Sequence, residues 1–206
     1  MNTIIVEGGK DMGNRIYPIG IQNFEKIRKE GYVYVDKTAL MYKLVKSGSY
    51  FFLSRPRRFG KSLLISTLEA YFEAKRDLFE GLAVETLEKD WVKRPVFHLD
   101  LNIGKYDTPD SLDKILNETL DYWESLYGTR SAETTLALRF AGVVGRAYEQ
   151  SGERVAILID EYDKPLLQAI GNEELQREFR NTLKPFYGVL KTMDGCIKFS
   201  LADGSD

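Results

Sequence analysis

The sequence predicts an α/β fold, a parallel sheet covered by helices on both faces. Four short apolar runs, at residues 50–54, 96–101, 155–159 and 196–201, alternate with stretches of helical periodicity. Strands that alternate with helices are joined by crossovers and pair in parallel. The runs at 50–53 and 155–159 are apolar throughout rather than every second residue, as strands buried on both faces are. Ser54 to Lys61, Asp100 and Asp160-Glu161 all fall at the carboxyl ends of these runs, and there open parallel sheets bind their ligands.

Taken in order, residues 1–17 carry Gly8-Gly9, Gly13 and scattered charges without periodicity, and read as a loose arm. Ile21, Phe24 and Ile27 at helical spacing predict a short helix ended by Gly31. Residues 32–35 read as extended. Asp36 is placed to cap a helix from Lys37 to about Lys46, with Leu40, Leu44 and Val45 inward. The strand at 50–54 follows Gly48, and a helix runs from Lys61 to about Lys75 with Leu64, Leu68 and Tyr71/Phe72 on one side.

Residues 79–91 are charged, part loop and part short helix. After the strand introduced by Pro95, helices are expected from Pro109-Asp110 to Tyr127 and from Ala132 to Gln150. Ser151-Gly152-Glu153 then turns the chain into the strand ending in Asp160-Glu161. A short helix follows Pro165, for which Asp163 is the expected N-cap. A longer one spans Glu173 to about Met193, where Pro185 should kink or split it, lacking an N–H and clashing one turn back.

The 206 residues suit one α/β domain with a small appendage. Twenty-nine basic against 31 acidic residues leave a net charge of -2, so no overall field steers the chain toward nucleic acid or an anionic membrane. Arg55, Arg57 and Arg58 form a local basic turn. One cysteine, Cys196, forbids an intrachain disulfide and reads as a packing residue in a reducing compartment. No apolar run reaches the roughly 20 residues of a membrane span, and the N-terminus lacks the apolar core of a signal peptide. The expected location is the cytoplasm, with no membrane partner.

Two constellations carry chemistry. In Arg55-Pro56-Arg57-Arg58-Phe59-Gly60-Lys61-Ser62, an apolar strand empties into a basic turn that opens a helix. Such a turn aims backbone N–H groups and a helix N-terminus at phosphate. Gly60 keeps a Cβ out of the way of the phosphate oxygens, Lys61 reaches the β- and γ-phosphates, and Ser62 gives its hydroxyl to magnesium. Arg55 stands where the usual spelling has its first glycine, with Pro56 supplying a rigid turn instead. Arg57 and Arg58 reach toward the γ-phosphate, one of them as an arginine finger, or form a solvated basic turn. The nucleotide-binding set is therefore Arg57, Arg58, Phe59, Gly60, Lys61, Ser62 and Leu63.

The second constellation is Asp160-Glu161 at the end of a wholly apolar strand. Asp160 is expected to hold magnesium with Ser62, and Glu161 to take a proton from an attacking water, with Lys61 beside it as the other catalytic residue. His98, the single histidine, reads as a packed or hydrogen-bonded side chain, and Asp100 as a turn cap. Tyr32, Tyr34, Phe51 and Phe52 read as core. One Cys and one His exclude a zinc site of Cys and His ligands.

Ile19-Gly20-Ile21-Gln22-Asn23-Phe24, Tyr34-Val35-Asp36-Lys37-Thr38, the Arg55 to Ser62 string and Leu158-Ile159-Asp160-Glu161-Tyr162-Asp163 resemble the bacterial AAA-ATPase-like proteins over about residues 18–201. The resemblance implies a P-loop NTPase fold of the additional-strand type, with sheet order 1-4-3-2 and the 50–54 strand on an edge. It implies ATP and magnesium as cofactors. It divides the chain into an N-terminal appendage at 18–48 and a core sheet at 49–206. Family members are usually longer, with a C-terminal region similar to PD-(D/E)XK nucleases, so the chain reads as truncated, without that region or the helical lid. Where the family has a polar Thr before Gly at the end of the last strand, this sequence has Asp203 before Gly204.

Three readings follow: an ATP hydrolase driving an attached or partner effector, nuclease-type or acting on nucleic acid; a nucleotide-binding module with little or no hydrolysis; and a nucleic-acid-contacting module that uses the arginine turn.

Overall fold

The computed structural model describes residues 16–54 and 59–204. Most of the arm expected over 1–17 lies outside them, as do Arg55, Pro56, Arg57 and Arg58. Four strands form one parallel sheet: β1 (Tyr50–Ser54), β2 (Val96–Asp100), β3 (Val155–Asp160) and β4 (Ile197–Gly204), in the order β1-β4-β3-β2. Eight α-helices surround the sheet among the described residues: α1 (Phe24–Lys29), α2 (Thr38–Ser47), α3 (Lys61–Phe72), α4 (Ala83–Leu87), α5 (Ser111–Tyr127), α6 (Leu136–Ser151), α7 (Lys164–Gln168) and α8 (Glu173–Thr192).

The central strands dictate two cores. Side chains alternate across a strand, so Val155, Ile157 and Ile159 of β3 enter one cluster with α5, α6 and α8; Ile197 of β4 joins them because an irregularity in the pairing at Val155/Ala156 puts it on the face opposite Phe199. Ala156 and Leu158 of β3, with Phe199 and Leu201 of β4, enter the other, under α2 and α3. β3 is buried at every residue because both faces are covered. β1 is not. As an edge strand it alternates exposed and half-buried residues, and Phe52 is 57% exposed rather than in the core.

Side chains fix the helix ends. Asn23 Oδ1 accepts from the Lys26 N–H at 2.7 Å to start α1, and Gly31 takes a φ of 71° just beyond its end. Thr135 caps α6, so that helix starts at Leu136 instead of Ala132. Asp36 Oδ1 accepts from the Thr38 N–H at 2.8 Å, and its Oδ2 accepts from the Ala83 N–H at 2.7 Å, so one carboxylate orders the starts of α2 and α4. On α2, Met41 and Val45 face inward, whereas Leu40 is exposed. The helix after Lys61 ends at Phe72, short of Lys75.

Packing overrides the expectation that α8 is split. α8 runs unbroken through Pro185, since Leu183, Phe186 and Val189 anchor both sides of it in the core, with Phe186 stacked on Phe140 at 4.6 Å. Asp163 is the N-cap residue of α7, as expected, although its side chain makes no capping hydrogen bond. α1 and α2 share the core of α3: Phe24, Met41 and Val45 join its cluster, and the Phe24 N–H donates to Ser66 Oγ at 2.7 Å.

Candidate functional site

Parallel pairing brings every carboxyl end to one margin of the sheet. Asp100 of β2 lies opposite Asp160 of β3, while Leu53 and Ser54 of β1 lie opposite Asp203 and Gly204 of β4. β4 is therefore flanked by the strand that feeds Lys61 and by the strand that delivers Asp160-Glu161. The sequence expected β4 to stop near Leu201, but it continues to Gly204 and carries Asp203 into that margin.

Gly60 adopts a φ of 76° as the N-cap of α3. That left-handed conformation is why glycine is needed there, since an added Cβ would meet nothing within 4 Å. The first turn of α3 then starts at Lys61, whose side chain is buried. Lys61 Nζ donates to the Gly204 carbonyl oxygen at 2.7 Å and lies 3.6 Å from Glu161 Oε1. The lysine-bearing turn and the acidic strand thus share one cleft. Ser62 is half-buried beside it, Leu63 packs against the apolar cluster under α3, and Phe59 is exposed.

Glu161 leaves β3 with a φ of 53°, a conformation that costs a non-glycine residue about 1–2 kcal/mol. Two hydrogen bonds from the turn to one residue of β4 hold it: the Glu161 N–H donates to Asp203 Oδ1 and the Tyr162 N–H to the Asp203 carbonyl oxygen, each at 2.8 Å. Tyr162 in turn packs edge-on against Phe52 at 4.9 Å. Asp203 is fully buried, and Asp160 nearly so. Burial, reinforced by the Asp160 charge, pushes the Asp203 carboxyl above the usual carboxylate range, against the pull of the Glu161 N–H and of Lys61. Asp160 Oδ1 and Asp203 Oδ2 are buried without a hydrogen-bond partner.

The remaining polar residues sit apart from this cleft or serve structure. Asp100 Oδ1 accepts from the Asn102 N–H at 2.8 Å and caps the turn after β2. His98 Nδ1 pairs with Glu69 Oε2 at 3.2 Å. Cys196 is half-buried against the core. A cleft of about 670 Å³ lies outside β2, between Glu69 of α3 with Glu73 just past its end and Tyr122 and Leu126 of α5, away from Lys61.

The sequence matches the family described as Predicted AAA-ATPase across residues 18–205. The chain belongs to that family. It is also 38% identical over 195 residues to an "Uncharacterized protein in vnfD 5'region" of Azotobacter chroococcum mcd 1, an alignment that takes in 94% of this chain. The same alignment spans only 38% of that relative's length. No solved structure matches this AAA-ATPase-like chain. Membership suggests ATP binding, and the all-parallel sheet in the order β1-β4-β3-β2 is consistent with a P-loop NTPase-like fold. No helix among the described residues is long and apolar enough to cross a membrane.

The donor set fits a hard cation. Asp160 offers an unpartnered buried carboxylate oxygen and Ser62 a hydroxyl on the first turn of α3; oxygen ligands of this kind suit magnesium. Sequence reasoning missed the Gly204 carbonyl as the partner of Lys61, because a backbone acceptor leaves no trace in side-chain identity.

Proposed function

We propose that this chain binds ATP together with magnesium and hydrolyses it, and that the cycle drives an effector attached to it or bound by it. The carrying observation is the 3.6 Å approach of Lys61 Nζ to Glu161 Oε1, which puts the phosphate-binding lysine and the acidic strand in one cleft. In this reading Gly60, Lys61, Ser62 and Leu63 cradle the phosphates, and Arg57, Arg58 and Phe59 belong to the same nucleotide-binding set. Lys61 exchanges the Gly204 carbonyl for the β- and γ-phosphate oxygens. Ser62 and Asp160 would hold the magnesium ion, which when bound offsets charge on the phosphates. Glu161 accepts the proton of the water attacking the γ-phosphorus, and ADP leaves with the bridging oxygen.

A second reading, nucleotide binding without turnover, is favoured by one observation. Asp203 stands buried at the same margin, and as an anion it opposes a γ-phosphate nearby.

A binding titration with ATP, run beside a phosphate-release assay, decides between them. The wild type should bind and release phosphate. Lys61→Ala should lose binding by at least about tenfold, and Glu161→Gln should keep binding while losing release. Turnover retained in the glutamine variant removes Glu161 from its role. Binding without release in the wild type establishes the second reading.

A further inference from the structure

We propose that Asp160 and Asp203 together form a site for one divalent cation of the magnesium or manganese type, filled before any nucleotide arrives. The proposal deepens the reading above and rests on its placement of a cation at Asp160.

The two residues follow the paired Ile159 and Ala202 on adjacent parallel strands, so their side chains are neighbours at the sheet margin. Asp203 is 0% exposed and Asp160 6%. Asp203 spends Oδ1 on the Glu161 N–H and leaves Oδ2 without a partner; Asp160 Oδ1 is unpartnered as well. The two carboxyl groups lie within hydrogen-bonding reach of each other, and such a buried pair is costly unless something positive or a shared proton joins it. The nearest ammonium, Lys61 Nζ, is directed at the Gly204 carbonyl and Glu161 instead.

The chemistry of the gap selects the occupant. The buried atoms left unpartnered there are carboxylate oxygens, which suits a hard cation rather than one seeking nitrogen or sulfur. Among the described residues no three His, Cys, Asp or Glu side chains converge. The remaining coordination positions fall to water, which magnesium retains readily while binding one or two carboxylates. One carboxylate holds such an ion weakly without the phosphates. A second, already fixed by its hydrogen bond to Glu161, raises the ligand charge and with it the affinity of the nucleotide-free protein.

The test is a titration of the whole chain with manganese(II) and no nucleotide, followed by the loss of the free-ion electron paramagnetic resonance signal. The expected result is one ion per chain, bound more tightly than about 1 mM, with Asp160→Asn and Asp203→Asn each weakening it by about tenfold or more. Asp203→Asn keeps an oxygen acceptor for the Glu161 N–H, and circular dichroism checks its fold. The wild type alone also decides: amide resonances of residues 160–162 and 202–204 should be the first broadened by manganese. Absence of nucleotide-free binding, as a shared proton would give, overturns the proposal. So does wild-type affinity in a folded Asp203→Asn variant, or first broadening elsewhere. The same preparation is titrated with ATP. A chain that binds ATP but not manganese alone sinks this inference and spares the nucleotide reading, and the reverse pattern does the opposite.

Discussion

Lys61 Nζ donates to the carbonyl oxygen of Gly204 at 2.7 Å, which ties the first turn of α3 to the end of β4 across 143 residues of sequence. The lysine is buried and already satisfied without a ligand. A nucleotide must compete for it, so the geometry at Gly204 bears directly on phosphate binding.

Substituting Gly204→Ala tests that dependence. An added Cβ would fall on the Tyr162 ring and come within 2.8 Å of Asp163 Oδ1. Overpacking of this kind costs about 1–3 kcal/mol, and each kcal/mol lowers the melting midpoint by about 2–4 °C in a chain of this size. We expect a lower midpoint together with weaker ATP binding in a titration. An unchanged midpoint and unchanged affinity would show that the Tyr162 turn yields without disturbing Lys61.

Glu161 illustrates strain kept at a site. Its φ of 53° suits glycine, so Glu161→Gly should raise stability by about 1 kcal/mol in urea denaturation while phosphate release is lost. A fall in stability would mean that the Lys61 contact at 3.6 Å outweighs the relief of strain.

His98 makes stability depend on pH. Burial alone would lower its pKa, but the hydrogen bond and charge of Glu69, with the charges of Asp100 and Asp160, raise it above the ordinary 6.5. A raised folded-state pKa contributes stability that is complete below the unfolded value and lost as pH climbs through the folded one. The urea midpoint should therefore decline as pH rises from the ordinary 6.5 through the raised folded-state value, and Glu69→Gln should flatten that decline. An equal slope in both proteins would remove the His98–Glu69 pair as its source.

The sequence made the sheet legible because its strands are short, largely apolar runs between helical stretches, and residues 155–159 carry nothing polar at all. It marked Gly60-Lys61 and Asp160-Glu161 as the ends of two such runs, and the coordinates bring Lys61 within reach of Glu161. It hid the reach of β4. Ala202-Asp203-Gly204 reads as a polar turn, yet pairing with β1 carries the strand on to Gly204. Leu40 and Phe52 were expected inside on hydrophobicity, which cannot tell an edge strand or a helix's outer face from a covered one. Pro185 was expected to kink or split α8, and with packing on both sides of it the helix is not split.

β1 lies at the side of the sheet with Tyr50 44% and Phe52 57% exposed, its outer backbone groups unpaired by any strand among the described residues. A margin of that character is a template for another chain's backbone. Concentrating the purified protein therefore favours clumping along this border, and good behaviour in dilute solution is no guide to behaviour at the millimolar levels that spectroscopy asks for.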